Sequence, residues 1–176
     1  KWREQVTLST WHKGLNRLFY LRDFILTDVQ GNPKVKATSS WLVLNLETRR
    51  LVRDPELMED GTVNAENVIE TPADKVQMPK DIETVHVMDH VVAYSDVDMN
   101  GHTNDAMYMQ WAMDAVDYNI ASTRSIKEFT INFNRETRAG ERVSIYRIMQ
   151  DTEDGLKVYV EGKVEGASSF CIEMIF

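Results

Sequence analysis

The stretch from about Asn104 to Asn119, NDAMYMQWAMDAVDYN, does most to limit what this chain can become. Its spacing predicts a helix. Tyr108, Trp111, Ala112 and Ala115 form one apolar stripe, and Met109, Met113 and Val116 form a second beside it. A helix apolar over most of its circumference has to be largely enclosed by other structure. The segments around it are strand-like. ETVHVMDHVVAYS (83–95) precedes the helix; SIKEFTINFNRE (125–136), ERVSIYRIMQD (141–151), LKVYVEGKVEG (156–166) and SSFCIEMIF (168–176) follow, joined by short turns. The second half therefore reads as a strand, a helix, then four strands in antiparallel order, an α+β arrangement.

The first half carries part of the same pattern. REQVTLSTW (3–11) alternates as a strand does. RLFYLRDFILTD (17–28) and KVKATSSWLVLNLE (34–47) flank the turn residues QGNP (30–33), so 17–47 reads as a hairpin. REQVTLS (3–9) resembles GERVSIY (140–146), with Glu4 matching Glu141 and Val6 matching Val143. Each is followed by a two-strand hairpin that ends in an apolar run. The first copy lacks the strand and helix that open the second, and by this comparison roughly 50 residues are expected ahead of Lys1. Residues 53–83 are acidic, hold three prolines and show little periodicity, and read as a linker with room for one short helix. The expected division is 1–53, a first domain without its opening strand and helix; 54–83, linker; and 84–176, a second domain.

Charge is unevenly placed within the net −8. Residues 1–53 hold ten Lys/Arg against four Asp/Glu, residues 54–101 two against twelve, and residues 102–176 eight against twelve. The basic first third suits either an acidic partner or an ordinary solvated surface. Nothing approaches eighteen consecutive apolar residues, so no membrane-spanning helix is expected. The single cysteine, Cys171, fits a reducing compartment, and a cytoplasmic location is expected.

Chemistry concentrates in AYSDVDMNGHTNDAMYMQW (93–111), where Asp96, Asp98, Asn100 and His102 alternate with other residues and Gly101 sits among them. A calcium loop would place a bidentate Glu at its twelfth position, but Met107 stands there. A simple helix cap, with Thr103 as the capping residue, needs one or two polar groups rather than four. A catalytic reading uses the cluster more fully. Asn100, His102 and the N–H groups of the helix start can hold the oxygen of a polarised carbonyl, and Asp98 can orient one of them. A general base is then required from elsewhere, and Glu136 and Glu141 in NFNRETRAGE are the candidates. In HVMDH, His86 and His90 fall on one strand face with Asp89 nearby but without a third ligand, so no metal site is expected. Trp41 and Trp111 read as core, and Arg49, Arg50 and Arg53 as a solvated run or part of a partner contact.

YSDVDMNGHTNDAMYMQWAMD resembles the signature of the fatty acyl-ACP thioesterases, D-x-D-x-N-x-H followed by N-N and an aromatic on the helix. NRETRAGERV resembles the family's next strand and turn. RDFILTDVQGNPKVKATSSWLVLNLETRRLVRDP resembles the hairpin of its first domain. The resemblance covers nearly the whole chain and implies two tandem hotdog domains, each an antiparallel sheet wrapped around a central helix, with the first lacking its N-terminal part. It is closest to the bacterial type, on the compactness of the acidic linker. It implies hydrolysis of the fatty acyl-ACP thioester to release free fatty acid, ending chain elongation in fatty acid biosynthesis. Acyl carrier protein would be the partner, no cofactor is implied, and the state would be monomer or homodimer. The family's active positions fall on Asp98, Asn100, His102 and Glu136, and Trp111 can line an acyl channel. Asp105 stands where the family has its second Asn, and Thr137 stands at the cysteine position of the plant enzymes. A water-based route with Glu136 as base is therefore expected, with Thr137 dispensable. An acyl-CoA thioesterase of the same fold and a non-catalytic acyl-binding hotdog protein are the alternatives.

Overall fold

A computed structural model describes residues 3–48, 50–52 and 63–176. The chain divides into two units, Lys1–Ala73 and Asp74–Phe176. Arg49, Arg53 and the residues 54–62 of the expected linker lie outside the described residues.

In the first unit, β1 (Val6–Asn16), β2 (Phe19–Asp28) and β3 (Pro33–Trp41) form an antiparallel sheet in that order. The β2–β3 turn is built by Asp28. Its carboxylate accepts the N–H groups of Gln30 and Asn32 at 3.0 and 2.9 Å and the Asn32 side-chain amide at 3.1 Å. The Asn32 N–H is the main reason that this carboxyl titrates at about 2. Gly31 supplies the positive φ of +84° that the turn requires. Residues 64–69 run along one face of the sheet. The Asn64 N–H donates to the His12 carbonyl at 2.9 Å, and the Trp11 indole N–H donates to the Glu66 carbonyl at 2.9 Å. Lys13 and Asp23 form a buried ion pair at 2.9 Å beneath this segment. Trp41, expected in the core, is instead 54% exposed, with its indole N–H on Ser39 Oγ. It lies at the end of β3, opposite Tyr20.

In the second unit, five antiparallel strands follow the order β4-β6-β7-β8-β5: β4 (Val85–Val91), β5 (Glu128–Phe133), β6 (Arg142–Thr152), β7 (Gly155–Val164) and β8 (Ala167–Ile175). Between β4 and β5 lie α1 (Asp105–Asp114) and α2 (Tyr118–Thr123). Val143 and Ile145 of β6, Val158 and Val160 of β7, and Phe170, Ile172 and Met174 of β8 bury themselves with Tyr108, Trp111 and Ala112 of α1. Strand β7 alternates strictly, as one buried face demands. This is the hotdog arrangement, a sheet packed around a helix.

Three features of the helical region differ from the expectations. The helix predicted over 104–119 is two helices, because Arg147 from β6 takes the Ala115 carbonyl at 2.7 Å and the Asp117 carboxylate at 2.9 Å, closing α1. The residue capping α1 is Asn104, whose side chain accepts the Ala106 N–H at 2.9 Å; the Thr103 hydroxyl is engaged elsewhere. Enclosure is one-sided: Tyr108, Trp111 and Ala112 are buried, while Met109 is 38% exposed.

The repeat is stronger in the structure than in the sequence. Strands β1, β2 and β3 are 11, 10 and 9 residues long, as are β6, β7 and β8. Both meanders shift register near the second turn, between Leu26 and Thr27 in one and between Gly162 and Lys163 in the other. At the second position Gly162 lies under the Phe170 ring. A Cβ there would fall 2.1 Å from Phe170 Cε1, and Phe170 is fully buried. Gly162→Ala is expected to destabilise the fold by about 1–3 kcal/mol through overpacking, measurable as a lowered Tm.

Candidate active site

The segment after β4 folds back on itself before entering α1. Asp96 ends a short 3-10 turn, Tyr94–Asp96, and is 3% exposed. Its Oδ2 accepts the Ala93 N–H and meets His90 Nε2, each at 2.7 Å. Burial opposes the charge on Asp96, but the His90 and Ala93 bonds outweigh it and hold the carboxyl below its ordinary value. The His90 ring in turn lies 4.5 Å from Trp111. Asp96 thus shapes the turn. A register shift in β4 between His86 and Met88 places His86 opposite Tyr146 and His90 opposite Val143, on opposite faces rather than one. His86 pairs separately with Asp89 at 3.0 Å.

Asp98 organises the next four residues. Its Oδ1 accepts the N–H groups of Asn100 and His102 at 2.8 and 3.3 Å, and its Oδ2 accepts the Asn100 side-chain amide at 3.2 Å. Its own N–H donates to the His102 carbonyl at 2.8 Å. Gly101, at φ +79°, lets the chain reverse. The Asn100 N–H is the largest of the causes that hold the Asp98 carboxyl below its usual range, so Asp98 stays ionised into mildly acidic solution. Asp105 is pushed the other way, by burial and then by the charge of Asp98.

The second half of the site arrives from beyond β5. Residues Asn134 and Arg135 donate their N–H groups to the Ser169 carbonyl at 2.8 and 3.0 Å, which fixes the exit of the strand. Glu136 then projects its Oε2 to 3.2 Å from His102 Nε2. Both side chains reach solvent, at 24% exposed for His102 and 49% for Glu136. Glu141, the other candidate base, is spent on the turn: it accepts the Arg138 N–H at 2.8 Å and Arg135 Nη2 at 3.4 Å. The fold therefore brings Asp98, Asn100, His102 and Glu136 into one bonded series. It does not add Trp111, which is 2% exposed and packs in the core against Tyr108 and His90.

Thr137 is fully buried and bonded to Thr103 and Tyr108, so its hydroxyl is not presented to a substrate. Cys171 is also buried, and burial pushes its thiol up to about 12, far from the reactive thiolate range. Two neighbours of the cluster escaped the sequence reading. Arg138 lies with Nη2 3.5 Å from His102 Nε2, and the Tyr108 hydroxyl lies on Thr137. The spacing of Arg138, two residues past Glu136, was the available signal for the first. Tyr108 gives no such signal, because its spacing places it in the apolar stripe of the helix.

The acyl-ACP thioesterase C-terminal domain matches residues 79–176, and the acyl-ACP thioesterase N-terminal domain matches residues 1–60. This chain belongs to the acyl-ACP thioesterase family. Oleoyl-acyl carrier protein thioesterase 2, chloroplastic, from Arabidopsis thaliana is 27% identical over 156 residues, covering 81% of this chain and 41% of that protein. The palmitoyl-acyl carrier protein thioesterase of the same plant is 27% identical over 141 residues, covering 77% and 34%. The chain thus spans about two fifths or less of these relatives. A solved acyl-ACP thioesterase from Bacteroides thetaiotaomicron superposes with a TM-score of 0.72 at 24% identity, covering 98% of this chain and 69% of that one. The 12:0-ACP thioesterase from Umbellularia californica gives a TM-score of 0.81 at 22% identity, covering 96% and 64%. These two share the fold. No helix among the described residues is long and apolar enough to cross a membrane.

Proposed function

We propose that the protein hydrolyses the thioester of fatty acyl-ACP, releasing free fatty acid and ending chain elongation in fatty acid biosynthesis. The observation that carries this reading is the placement of Glu136 Oε2 3.2 Å from His102 Nε2, beside a turn in which Asp98 fixes Asn100. Glu136 takes a proton from water, and the resulting hydroxide adds to the thioester carbonyl carbon. The Asn100 amide has one N–H on Asp98 and a second for the oxygen as it gains charge. Collapse breaks the C–S bond, and the proton held by Glu136 goes to the departing thiolate of the carrier. His102, donating from Nε2, holds Glu136 in line. Asn104 takes the Ala106 N–H for its own cap, so the oxyanion role rests on Asn100 rather than on that part of the helix start.

Acyl carrier protein is acidic, and the basic first third of the chain gives the contact a physical basis. The one cysteine is a buried free thiol, which suits a reducing compartment such as the cytoplasm. Matched acyl-ACP and acyl-CoA substrates test the assignment. Acyl-ACP is expected to turn over with the higher kcat/KM, and its advantage should shrink as salt rises from about 0.05 to 0.5 M. Equal kcat/KM for both carriers at every salt concentration would point to an acyl-CoA thioesterase. Tight binding of acyl-ACP without turnover would point to an acyl-binding protein.

A further inference from the structure

Three hydroxyl groups lie buried directly behind the reactive side chains. Thr103 is 4% exposed, Tyr108 3% and Thr137 0%. Thr137 Oγ1 lies 2.6 Å from Thr103 Oγ1 and 3.0 Å from the Tyr108 hydroxyl. The main chain joins in. The Thr137 N–H donates to the Tyr108 hydroxyl at 3.2 Å, and the Thr103 N–H donates to the Thr137 carbonyl at 2.8 Å.

The Tyr108 oxygen accepts the Thr137 N–H and shares a second bond with Thr137 Oγ1, in which either hydroxyl can donate. Thr137 Oγ1 and Thr103 Oγ1 then share one further bond. Tyr108 and Thr137 therefore close a two-point ring, and Thr103 is attached to it by both main chain and side chain. Such a network, held away from water and closed by main-chain bonds, is stiff.

Its position in the chain gives the stiffness a use. Thr103 directly follows His102, and Thr137 directly follows Glu136. Thr103 also forms a β-bridge with Val97, so the loop carrying Asp98, Asn100 and His102 is tied down at both ends. We propose that Thr103, Tyr108 and Thr137 form a hydroxyl clamp that positions Glu136 against His102, and that Tyr108 and Thr137 are positioning residues for the hydrolysis. The inference rests on the reading of Glu136 as general base. Thr137 is then no longer a dispensable bystander at its position. Its side chain acts through Glu136 without meeting substrate.

The test is a set of variants in the full chain, assayed on fatty acyl-ACP. Thr137→Val keeps the shape and removes the hydroxyl; Tyr108→Phe removes one oxygen at the other end of the ring. Each is expected to lower kcat by about 10- to 100-fold, the scale of a displacement near 1 Å at a reacting group, with KM changed less than about 3-fold. Thr137→Ser restores the hydroxyl and should recover most of the lost rate. In a Glu136→Gln background, Tyr108→Phe should add little further loss, because the group that it positions is already gone. If folded Tyr108→Phe and Thr137→Val keep wild-type kcat while Glu136→Gln is nearly inactive, the clamp proposal is wrong and the base assignment stands. If Glu136→Gln is itself near wild type, the reading beneath the proposal is wrong. Should Thr137→Val fail to fold, Tyr108→Phe alone decides by the same criteria.

Discussion

Glu136→Gln is expected to reduce kcat on fatty acyl-ACP by about 10²- to 10⁴-fold, the range over which a positioned base contributes. The amide has the same shape as the carboxyl and can still accept from His102 Nε2, so the 3.2 Å pairing and the fold should persist. What is lost is the capacity to take a proton from water. KM should change little, since Glu136 addresses the nucleophile rather than the acyl chain or the carrier. An unchanged Tm together with the fall in kcat would separate this from unfolding. Turnover near wild type would move the base elsewhere, with Asp98 and Asp105 the next carboxylates to test, since Asp96 is buried against His90.

The second large effect is on stability. Lys13→Met should destabilise the first unit by about 3–5 kcal/mol, because it leaves Asp23 buried without its cation. The side chains are 2% and 0% exposed, and the pair spans 2.9 Å. Lys13 also donates to the Ile69 carbonyl, and Asp23 accepts the Val68 N–H at 2.7 Å, so the pair fastens residues 64–69 to the sheet. Burial alone would raise the Asp23 carboxyl, but the Lys13 pairing and the Val68 N–H oppose it, and the value is held below the ordinary one. A depressed carboxyl contributes fully above its unfolded value and loses that contribution as pH falls through the folded one. The wild type should therefore lose stability as the solution is acidified below the usual carboxylate range. Urea titrations at neutral and acid pH give the comparison, and a Lys13→Met loss under about 1 kcal/mol at neutral pH would mean that the pair adds little.

The same residues mark where the sequence was readable. Period-2 alternation in Leu156, Val158, Val160 and Val164 announces a strand with one buried face, and the structure keeps it. The repeat was visible through a few matched residues, and equal strand lengths with a shared register shift make it firm. The end of α1 was not readable, because the group that closes it, Arg147, is 32 residues from Ala115. Residues 64–69 looked like unanchored linker, since nothing local shows that Lys13 and Asp23 will reach them. At the cluster, alternation of Asp98, Asn100 and His102 exposed the loop half of the site. The residues alone leave Glu136 and Glu141 as candidates, the resemblance points to Glu136, and the fold adds that Glu141 is occupied by Arg138 and Arg135. Thr103 illustrates the same limit. Local rules make it a helix cap, while a long-range partner, Thr137, takes its hydroxyl and leaves Asn104 to cap.

Rapid-quench analysis of a single turnover on fatty acyl-ACP reaches the water-based chemistry most directly. The carrier thiol and the free fatty acid would be followed together from the first milliseconds. With Glu136 activating water and no side chain becoming acylated, the two products should appear at the same rate and in equal amounts. A burst of carrier thiol ahead of the fatty acid would contradict this by revealing an acyl-protein intermediate, and absence of fatty acid above the uncatalysed background would contradict hydrolysis itself.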